Sequence, residues 1–231
     1  IKFKAGNYYH LKLFVNKKIT LTTTKKDKGK VKFIGNVDEN AINIKANKVK
    51  IYGLKFKKYN YVIIAKTTKS VFSKNTFYNN MQGVKIKGKK NKFIYNKITF
   101  STLDINGKYN IISQNKLFKK STISVHGYKN IIQKNSIKKT SGIHLYGKKN
   151  SVIHNKIYNG DFGISVAESK YCKISNNKLY NMYCGITIES SSKNTFNKNT
   201  LIKCKYGVMY EDNTNKFSNN IFKNCEKNFL K

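Results

Sequence analysis

The sequence predicts an all-β solenoid, in which short coils stack along one axis through parallel strands. A phrase of the form apolar-x-x-Asn-x-apolar returns every 19 to 22 residues, and no stretch shows the apolar period of a helix. The 231 residues include no proline, as expected where the backbone of every coil forms hydrogen bonds with the coils on both sides of it. One unit of this length cannot bury its apolar side, but stacking units about 4.8 Å apart buries all of them in one column.

The recurring asparagine is the most regular feature of the chain. Asn155, for example, has Val152 three positions before it and Ile157 two positions after it. We expect this asparagine at a sharp corner between two inward-facing strands, because asparagine tolerates the left-handed backbone well. Its amide can then bond to the asparagines of the coils above and below. The predicted ladder consists of Asn75, Asn96, Asn115, Asn135, Asn155, Asn177, Asn199 and Asn220.

A second segment in each period reads glycine followed by apolar-x-apolar, as in Gly163-Ile164-Ser165-Val166. This alternation predicts a strand with one buried face, which brings the count to three short strands per coil. We expect a single domain over residues 1–231, with N-terminal coils that lack the ladder over 1–56 and regular ladder repeats over 70–226. The chain is expected to be a segment of a longer or assembled protein.

These motifs resemble the right-handed parallel β-helix repeats of the pectate-lyase-like superfamily, especially the NosD-type repeats of surface proteins. The opening stretch IKFKAGNYYHLKLFVNKKITL resembles the first coil of that family. ANKVKIYGLKF at 46–56 resembles the next, with Leu54 at the ladder position. The resemblance covers essentially the whole chain. It implies an all-β, right-handed, single-stranded parallel β-helix of about ten coils of 20–22 residues, and it specifies fold far more than function.

The charge of the chain predicts an anionic partner. All 47 basic residues are lysine, only ten residues are acidic, and the net charge is +37. Codon usage of an AT-rich genome explains lysine in place of arginine, but not the scarcity of acids. We therefore expect an anionic polysaccharide or cell-wall polymer as partner, whereas the absence of arginine argues against sequence-specific nucleic-acid reading. No apolar run reaches the roughly 18 residues of a transmembrane segment. The residues expected to bind the polymer are Tyr146, Lys85, Lys87, Lys97, Lys116, Lys156 and Lys178.

Candidate catalytic residues project from the Gly-apolar-x-apolar strands. An imidazole with a carboxylate or phenol in reach can act as the general base of a lyase or epimerase. In polysaccharide-active members of the resembled superfamily, the substrate groove lies over the corresponding sheet. The pectate lyases among them typically use an arginine base, which this chain lacks. The candidates are Asp104, His126, His144 and Glu189.

The acidic residues Glu168, Glu189, Glu211 and Asp212 recur on three consecutive coils. Stacked carboxylates of this kind can bind Ca²⁺, form the acid and nucleophile of a retaining glycosidase, or simply offset nearby lysines. No other cofactor is expected.

Cys204 and Cys225 each follow a ladder asparagine by five residues, and Cys184 falls nearby. We expect them to stack as internal thiols, with a disulfide between Cys204 and Cys225 as the competing interpretation.

The first functional hypothesis is a non-catalytic, extracellular or cell-surface, adhesin-like solenoid that contacts anionic polymers. Because the ends of a solenoid are open strand edges, copies of it can stack end to end into a homo-oligomer or fibre. The alternative is a carbohydrate-active enzyme (a lyase, epimerase or glycosidase) that acts on acidic polysaccharide. A tail-spike fragment is a third hypothesis.

Overall fold

The computed structural model of the protein describes residues 1–211 and 214–231 and confirms the parallel β-helix. Its chain winds through about eleven coils of about 21 residues, and the described residues contain no helix. Every strand pairing is parallel, and each strand pairs with its counterparts one coil away. Each coil contributes one strand to each of three faces. Face A holds the strand before the ladder position, face B the strand after it, and face C the strand that completes the coil.

Face A consists of β1 (Lys2–Phe3), β4 (Thr20–Thr23), β7 (Lys50–Tyr52), β10 (Val71–Ser73), β13 (Lys92–Ile94), β16 (Ile111–Ser113), β19 (Ile131–Gln133), β22 (Ser151–Ile153), β24 (Lys173–Ser175), β26 (Thr195–Asn197) and β29 (Lys216–Ser218). Face B consists of β2 (Gly6–Tyr9), β5 (Val31–Ile34), β8 (Lys55–Lys57), β11 (Thr76–Tyr78), β14 (Lys97–Thr99), β17 (Lys116–Phe118), β20 (Ser136–Lys138), β27 (Thr200–Ile202) and β30 (Ile221–Lys223). Face C consists of β3 (Leu13–Val15), β6 (Ile42–Ile44), β9 (Tyr61–Thr68), β12 (Gly83–Lys89), β15 (Thr102–Lys108), β18 (Thr122–Tyr128), β21 (Ile143–Lys148), β28 (Tyr206–Tyr210) and β31 (Lys227–Leu230). Two longer strands, β23 (Lys156–Lys170) and β25 (Lys178–Glu189), run from face B into face C.

The core is a column of apolar side chains that point inward from all three faces. In-register pairing places the aliphatic side chains of successive coils next to one another: Ile157 lies beside Leu179, and Leu179 lies beside Leu201. All three are at most 1% exposed. Burial of one such side chain stabilises the fold by about 1.5–3 kcal/mol, so the column accounts for the coil-to-coil cohesion.

The asparagine ladder is present as predicted. The contacts of Asn135 are typical of the ladder. The Asn135 Oδ1 accepts a hydrogen bond from the Asn115 backbone N–H at 2.9 Å, and the Asn135 Nδ2 donates one to the Ile112 carbonyl at 3.0 Å. The same amide donates to Asn155 Oδ1 at 2.9 Å. At the start of the ladder, the Leu54 N–H donates to Asn75 Oδ1 at 3.0 Å, so the apolar residue occupies the expected position. Each amide thus satisfies backbone groups that the corner leaves without a strand partner.

The backbone explanation for the asparagines was wrong. Left-handed φ values fall on the residue before each ladder position, as at Gln114 (57°), Lys134 (55°) and His154 (56°), and not on the asparagine itself. The corner therefore requires asparagine for its amide and imposes the left-handed conformation on its neighbour. The hydrogen bonds of the ladder offset the strain of that conformation.

A second ladder, which the sequence reasoning missed, runs along the corner between faces C and A. The Asn110 N–H donates to Asn130 Oδ1 at 2.9 Å, and Asn130 Nδ2 donates to the Gly107 carbonyl at 2.9 Å. Its positions lie five residues before those of the first ladder, so an Asn-x₄-Asn spacing would have revealed it. The second ladder comprises Ser70, Asn91, Asn110, Asn130, Asn150, Cys172, Asn194 and Asn215.

The four cysteines are free thiols in the structure. Burial, with smaller contributions from the neighbouring Cys225 and Cys184, raises the pKa of Cys204 to about 12. These contacts agree with the predicted internal thiol stack. A thiol that stays protonated in this way is a poor nucleophile, and the stack fills the end of the core.

We expect replacement of Asn135 by leucine to lower the melting temperature by about 6–12 °C. The substitution leaves the Asn115 N–H and the Ile112 carbonyl buried without partners, at about 1–3 kcal/mol each. Thermal unfolding followed by circular dichroism measures the change. Asn7→Ala, at an exposed asparagine, is the control and should leave the melting temperature unchanged. Equal melting of Asn135→Leu and the wild type would show that the ladder contributes no stability.

Candidate functional site

The register of face C brings most of the predicted catalytic residues into one patch. Pairing of β15, β18 and β21 aligns their outward side chains in two parallel columns, about 4.8 Å from coil to coil. One column reads Asp104, Ser124, His144, and the other reads Asn106, His126, Tyr146. We call these six residues the central patch.

An imidazole stacked on a phenol lies at the centre of this patch. The rings of His126 and Tyr146 are parallel within 2°, with centroids 4.4 Å apart. The Ser124 Oγ lies 3.0 Å from His126 Nε2, within hydrogen-bond distance. Stacking on one side and the hydrogen bond along the strand hold the imidazole in a single orientation, as a proton-transfer group requires.

His144 and Asp104 lie on either side of Ser124. Burial lowers the pKa of His144, and a hydrogen bond from the imidazole to the Ser141 backbone opposes this shift more weakly. The ring is therefore neutral at neutral pH and available to accept a proton. The Asp104 Oδ1 is buried and has no hydrogen-bond partner among the described residues. Such an oxygen is able to accept a hydrogen bond from a bound ligand.

A groove of about 850 Å³ continues from the patch toward the N-terminal coils. The column of His126 extends through Asn106 to Lys87 and Lys66, and Lys45 lies one coil further. We call this channel the lysine groove, defined by Lys45, Lys66 and Lys87.

A column of glycines allows the coils to approach one another beside the lysine groove. At Gly107 φ is 141°, and a Cβ there would lie 1.9 Å from the Gly88 carbonyl oxygen. Only glycine permits this conformation and this approach, so the outer end of face C stays open beside the lysines.

The lysines expected to bind polymer are divided between two faces. Lys85 and Lys87 are exposed on face C, next to the central patch. Lys97 pairs with Lys116 on face B, away from the patch. Lys156 pairs with Lys178 on the same face, nearer the C-terminus.

The glutamates do not join the central patch. Glu189 pairs with Ala167, which pairs with Tyr146, so it lies two coils beyond the patch. Glu168 occupies an irregularity of the register with φ 47°, and Glu211 Oε2 accepts from the Ser190 N–H at 3.2 Å. Within residues 1–211 and 214–231, no group of three or more His, Cys, Asp or Glu side chains is placed to hold a metal ion. The fourth member of the proposed Ca²⁺ set, Asp212, lies outside the described residues.

The large positive charge is left mostly without anionic partners. The ion pairs found among the described residues both use one carboxylate, Glu39, with His10 and Lys12. Many lysines lie instead over aromatic rings, as Lys129 does over Tyr128 at 5.2 Å. Columns of stacked lysines repel one another in water, and a bound polyanion would relieve that repulsion.

A protein-family model described as a right-handed β-helix region matches residues 101–231, more than half of the chain. The chain belongs to this right-handed β-helix family. No curated protein matches the sequence of this β-helix. No helix that could span a membrane occurs in the part of the chain that the structure describes.

Several solved structures share the fold of this β-helix. The catalytic domain of a GH87 α-1,3-glucanase in complex with nigerose superposes with a TM-score of 0.76 at 12% identity, covering 100% of this chain and 61% of the glucanase domain. The A-module of the mannuronan C-5 epimerase of Azotobacter vinelandii gives 0.53 at 10% identity, covering 99% of this chain and 87% of the module. The DFA-IIIase of Arthrobacter chlorophenolicus gives 0.52 at 13% identity, covering 78% and 63%. At these identities the likeness shows the fold alone.

We expect the melting temperature of this β-helix to rise with salt. Between about 0.01 and about 0.1 M NaCl the Debye length shortens from about 30 to about 10 Å, which screens the stacked lysines. Removal of one stacked pair, Lys97→Gln with Lys116→Gln, should flatten the dependence. Calorimetry over this range measures it, and a melting temperature that falls with salt would contradict the repulsion.

We also expect stability to fall below pH 6.5 because of His144. Its pKa is lower in the folded state than the ordinary value of 6.5, so the unfolded chain binds more protons in that range. The stability is complete above pH 6.5 and is lost progressively as the pH falls below it. Urea midpoints at several pH values measure the effect, and His144→Gln should reduce the pH dependence. An NMR titration midpoint of His144 at or above 6.5 would contradict the prediction.

Proposed function

We propose that this β-helix is a carbohydrate-active enzyme that removes a proton beside a uronate carboxylate of an acidic polysaccharide, as a lyase or an epimerase. The observation that carries the proposal is the position of the central patch, with neutral His144 beside the stacked His126–Tyr146 pair, at one end of the lysine groove. The structures that resemble this fold also favour the enzyme alternative, since they include a glucanase and an epimerase. None of the comparisons supports the adhesin-like role.

The lysine groove suits a chain of acidic sugars that runs parallel to the solenoid axis. Lys45, Lys66 and Lys87 recur one coil apart, at about 4.8 Å, which is close to the length of one sugar ring. Successive carboxylates can therefore meet successive lysines. The column continues from Lys87 through Asn106, so the sugars two and three coils beyond Lys87 lie over His126 and Tyr146.

The groups of the central patch fit proton abstraction at C5 of a uronate. Neutral His144 accepts the C5 proton, and the electron pair left on C5 delocalises into the carboxylate. In elimination, the electron pair forms the C4–C5 double bond as the C4–oxygen bond breaks. The leaving oxygen takes a proton from the Tyr146 hydroxyl. In epimerisation, a proton returns to the opposite side of C5 and no bond to C4 breaks.

A glycosidase has less support. Asp104 and Glu189 are separated by four coils, about 19 Å, whereas the two carboxyl groups of a glycosidase lie about 5–9.5 Å apart. Glu189 and Glu211 lie on adjacent coils but are both exposed and distant from the lysine groove. The extracellular or cell-surface location belongs to the proposal, since acidic polysaccharides are polymers of matrices and walls. End-to-end stacking into an oligomer or fibre stays a prediction.

The proposal predicts turnover of a uronate polymer that depends on His144 and Tyr146. Polygalacturonate, alginate and polymannuronate would be incubated with the protein, with and without Ca²⁺. Ultraviolet absorbance reports the conjugated double bond of a lyase product, and deuterium uptake at C5 in D₂O reports an epimerase. We expect His144→Gln and Tyr146→Phe each to lower kcat by about 100-fold or more, because each removes a proton-transfer group. Lys156→Gln on face B is the matched surface control.

Absence of both product and deuterium uptake on all uronate polymers would refute the proposal. Wild-type rates in His144→Gln and Tyr146→Phe would refute the assignment of these residues while leaving the activity standing.

A further inference from the structure

A second groove, of about 780 Å³, lies on face B and is separate from the central patch and the lysine groove. It crosses the outward side of β5, β8, β11, β14, β17 and β20, and Asn159 on the next coil lies at its C-terminal end. None of its lining residues belongs to the lysine groove or to the central patch. We call it the face B groove.

Lysines recur along the face B groove almost once per coil. Of the six coils whose strands it crosses, five contribute at least one lining lysine, at about 4.8 Å from coil to coil. The remaining coil, that of β11, contributes Thr76 and Tyr78. The line of charge is therefore nearly continuous, which suits a polymer that carries an acidic group on every unit. One lining lysine from each of the five coils is Lys32, Lys55, Lys97, Lys119 and Lys138.

No carboxylate on these strands offsets the charge of the face B groove. None of the residues of β5, β8, β11, β14, β17 and β20 is acidic, and the ion pairs found among the described residues use Glu39 with His10 and Lys12. Ammonium groups stacked at this spacing repel one another in water. A linear ligand with matching negative charges is therefore attracted to the groove.

Two outward rings provide apolar surface within the line of lysines. Tyr78 is 51% exposed, and Phe118 is half-buried with the Lys97 ammonium 5.8 Å from its ring centroid. Both rings belong to one column, in which Thr99 stands between them. A ring offers its apolar face to a sugar ring, while a neighbouring ammonium meets the acidic group of that sugar. The groove thus offers both kinds of contact that an acidic sugar can make.

We propose that the face B groove is a second polysaccharide site, which holds a linear polyuronate with a carboxylate on every sugar and does not react with it. The polymer runs parallel to the solenoid axis, so that successive carboxylates meet the lysines of successive coils and one sugar lies against Tyr78. The lining residues include no imidazole and no carboxylate, so this groove has no general base like that of the central patch. The occupant belongs to the class of the proposed substrate, and the inference therefore extends the proposed function. Binding at face B requires neither His144 nor the lysine groove.

A single-stranded nucleic acid also carries one charge per unit, but the rings of the face B groove suit it less well. Nucleic-acid sites without sequence preference stack successive bases on aromatic side chains. In this groove Tyr78 and Phe118 are two coils apart, about 10 Å, with Thr99 between them. The chain also has no arginine to form bidentate contacts to phosphate. These observations favour the polyuronate, and an oligonucleotide serves as the competing probe in the test.

The test measures binding at the face B groove in a protein whose lysine groove is weakened. The background is Lys66→Gln with Lys87→Gln, which removes two cations of the lysine groove. Fluorescent oligogalacturonate, which is acidic at every sugar, is titrated at fixed salt and followed by anisotropy. We expect it to bind this background protein, with an affinity that falls as the salt concentration rises. Fully methyl-esterified oligogalacturonate has the same sugars without the charge and should not bind.

Substitutions in the face B groove should weaken this binding. Lys97→Gln with Lys138→Gln, added to the background, should weaken it by about tenfold, because two carboxylates lose their cations. Tyr78→Ala should weaken it by about threefold or more, because one sugar loses the ring against which it lies. All three side chains are exposed, so the fold tolerates these changes.

Face A supplies a control that removes the same number of charges. Lys92 and Lys173 are exposed there, and neither lines the face B groove or the lysine groove. Lys92 has no lysine beside it in its column, since it stands between Val71 and Ile111. Lys92→Gln with Lys173→Gln, added to the same background, should change the affinity by less than about twofold.

The proposal is overturned if oligogalacturonate fails to bind the background protein, or if the face A pair weakens binding as much as the face B pair does. It is also overturned if Tyr78→Ala leaves the affinity unchanged, if the esterified probe binds equally well, or if oligothymidylate of equal charge binds more tightly. Absence of turnover with retained binding at face B would refute the catalytic proposal alone. Turnover of a uronate polymer without binding at face B would refute this proposal alone.

Discussion

The in-register stacking of coils is the constraint on which the rest of this structure depends. Each strand is paired with its counterparts in the coils above and below, and the corners between strands are closed by buried asparagine amides. A shift of one residue in any coil would point its core side chains outward and its polar side chains inward. The ladders resist such a shift, because an amide out of register leaves two or more backbone groups unsatisfied.

The same constraint arranges the outer surface. Residues one period apart in the sequence become neighbours about 4.8 Å apart, so a repeated lysine becomes a line of charge. Lys66 and Lys87 are such a pair on face C, and Lys97 and Lys116 on face B. Line charges of this kind suit a linear polymer better than a compact ligand, since charge and polymer then share a direction and a spacing.

Deviations from the repeat mark the places where chemistry can occur. On face C the column of Lys66 and Lys87 changes to Asn106, His126 and Tyr146 within three coils. In a solenoid of nearly identical units, a change of side-chain class needs no change of backbone. The fold therefore positions the stacked rings of His126 and Tyr146 as rigidly as it positions a lysine.

The sequence by itself determined the fold, the ladder from Asn75 to Asn220 and the order of the outward columns, because a period of about 21 residues translates directly into neighbours in space. It also indicated that His126 and His144 lie on adjacent coils. Only the tertiary structure showed that the left-handed turns fall one residue before the asparagines, because backbone angles depend on the packing of a corner and not on spacing. Only the structure showed that burial keeps His144 neutral and that grooves form on two faces. The depth of the grooves and the desolvation of His144 depend on the curvature of the three faces and on the length of their side chains, which a linear repeat does not encode.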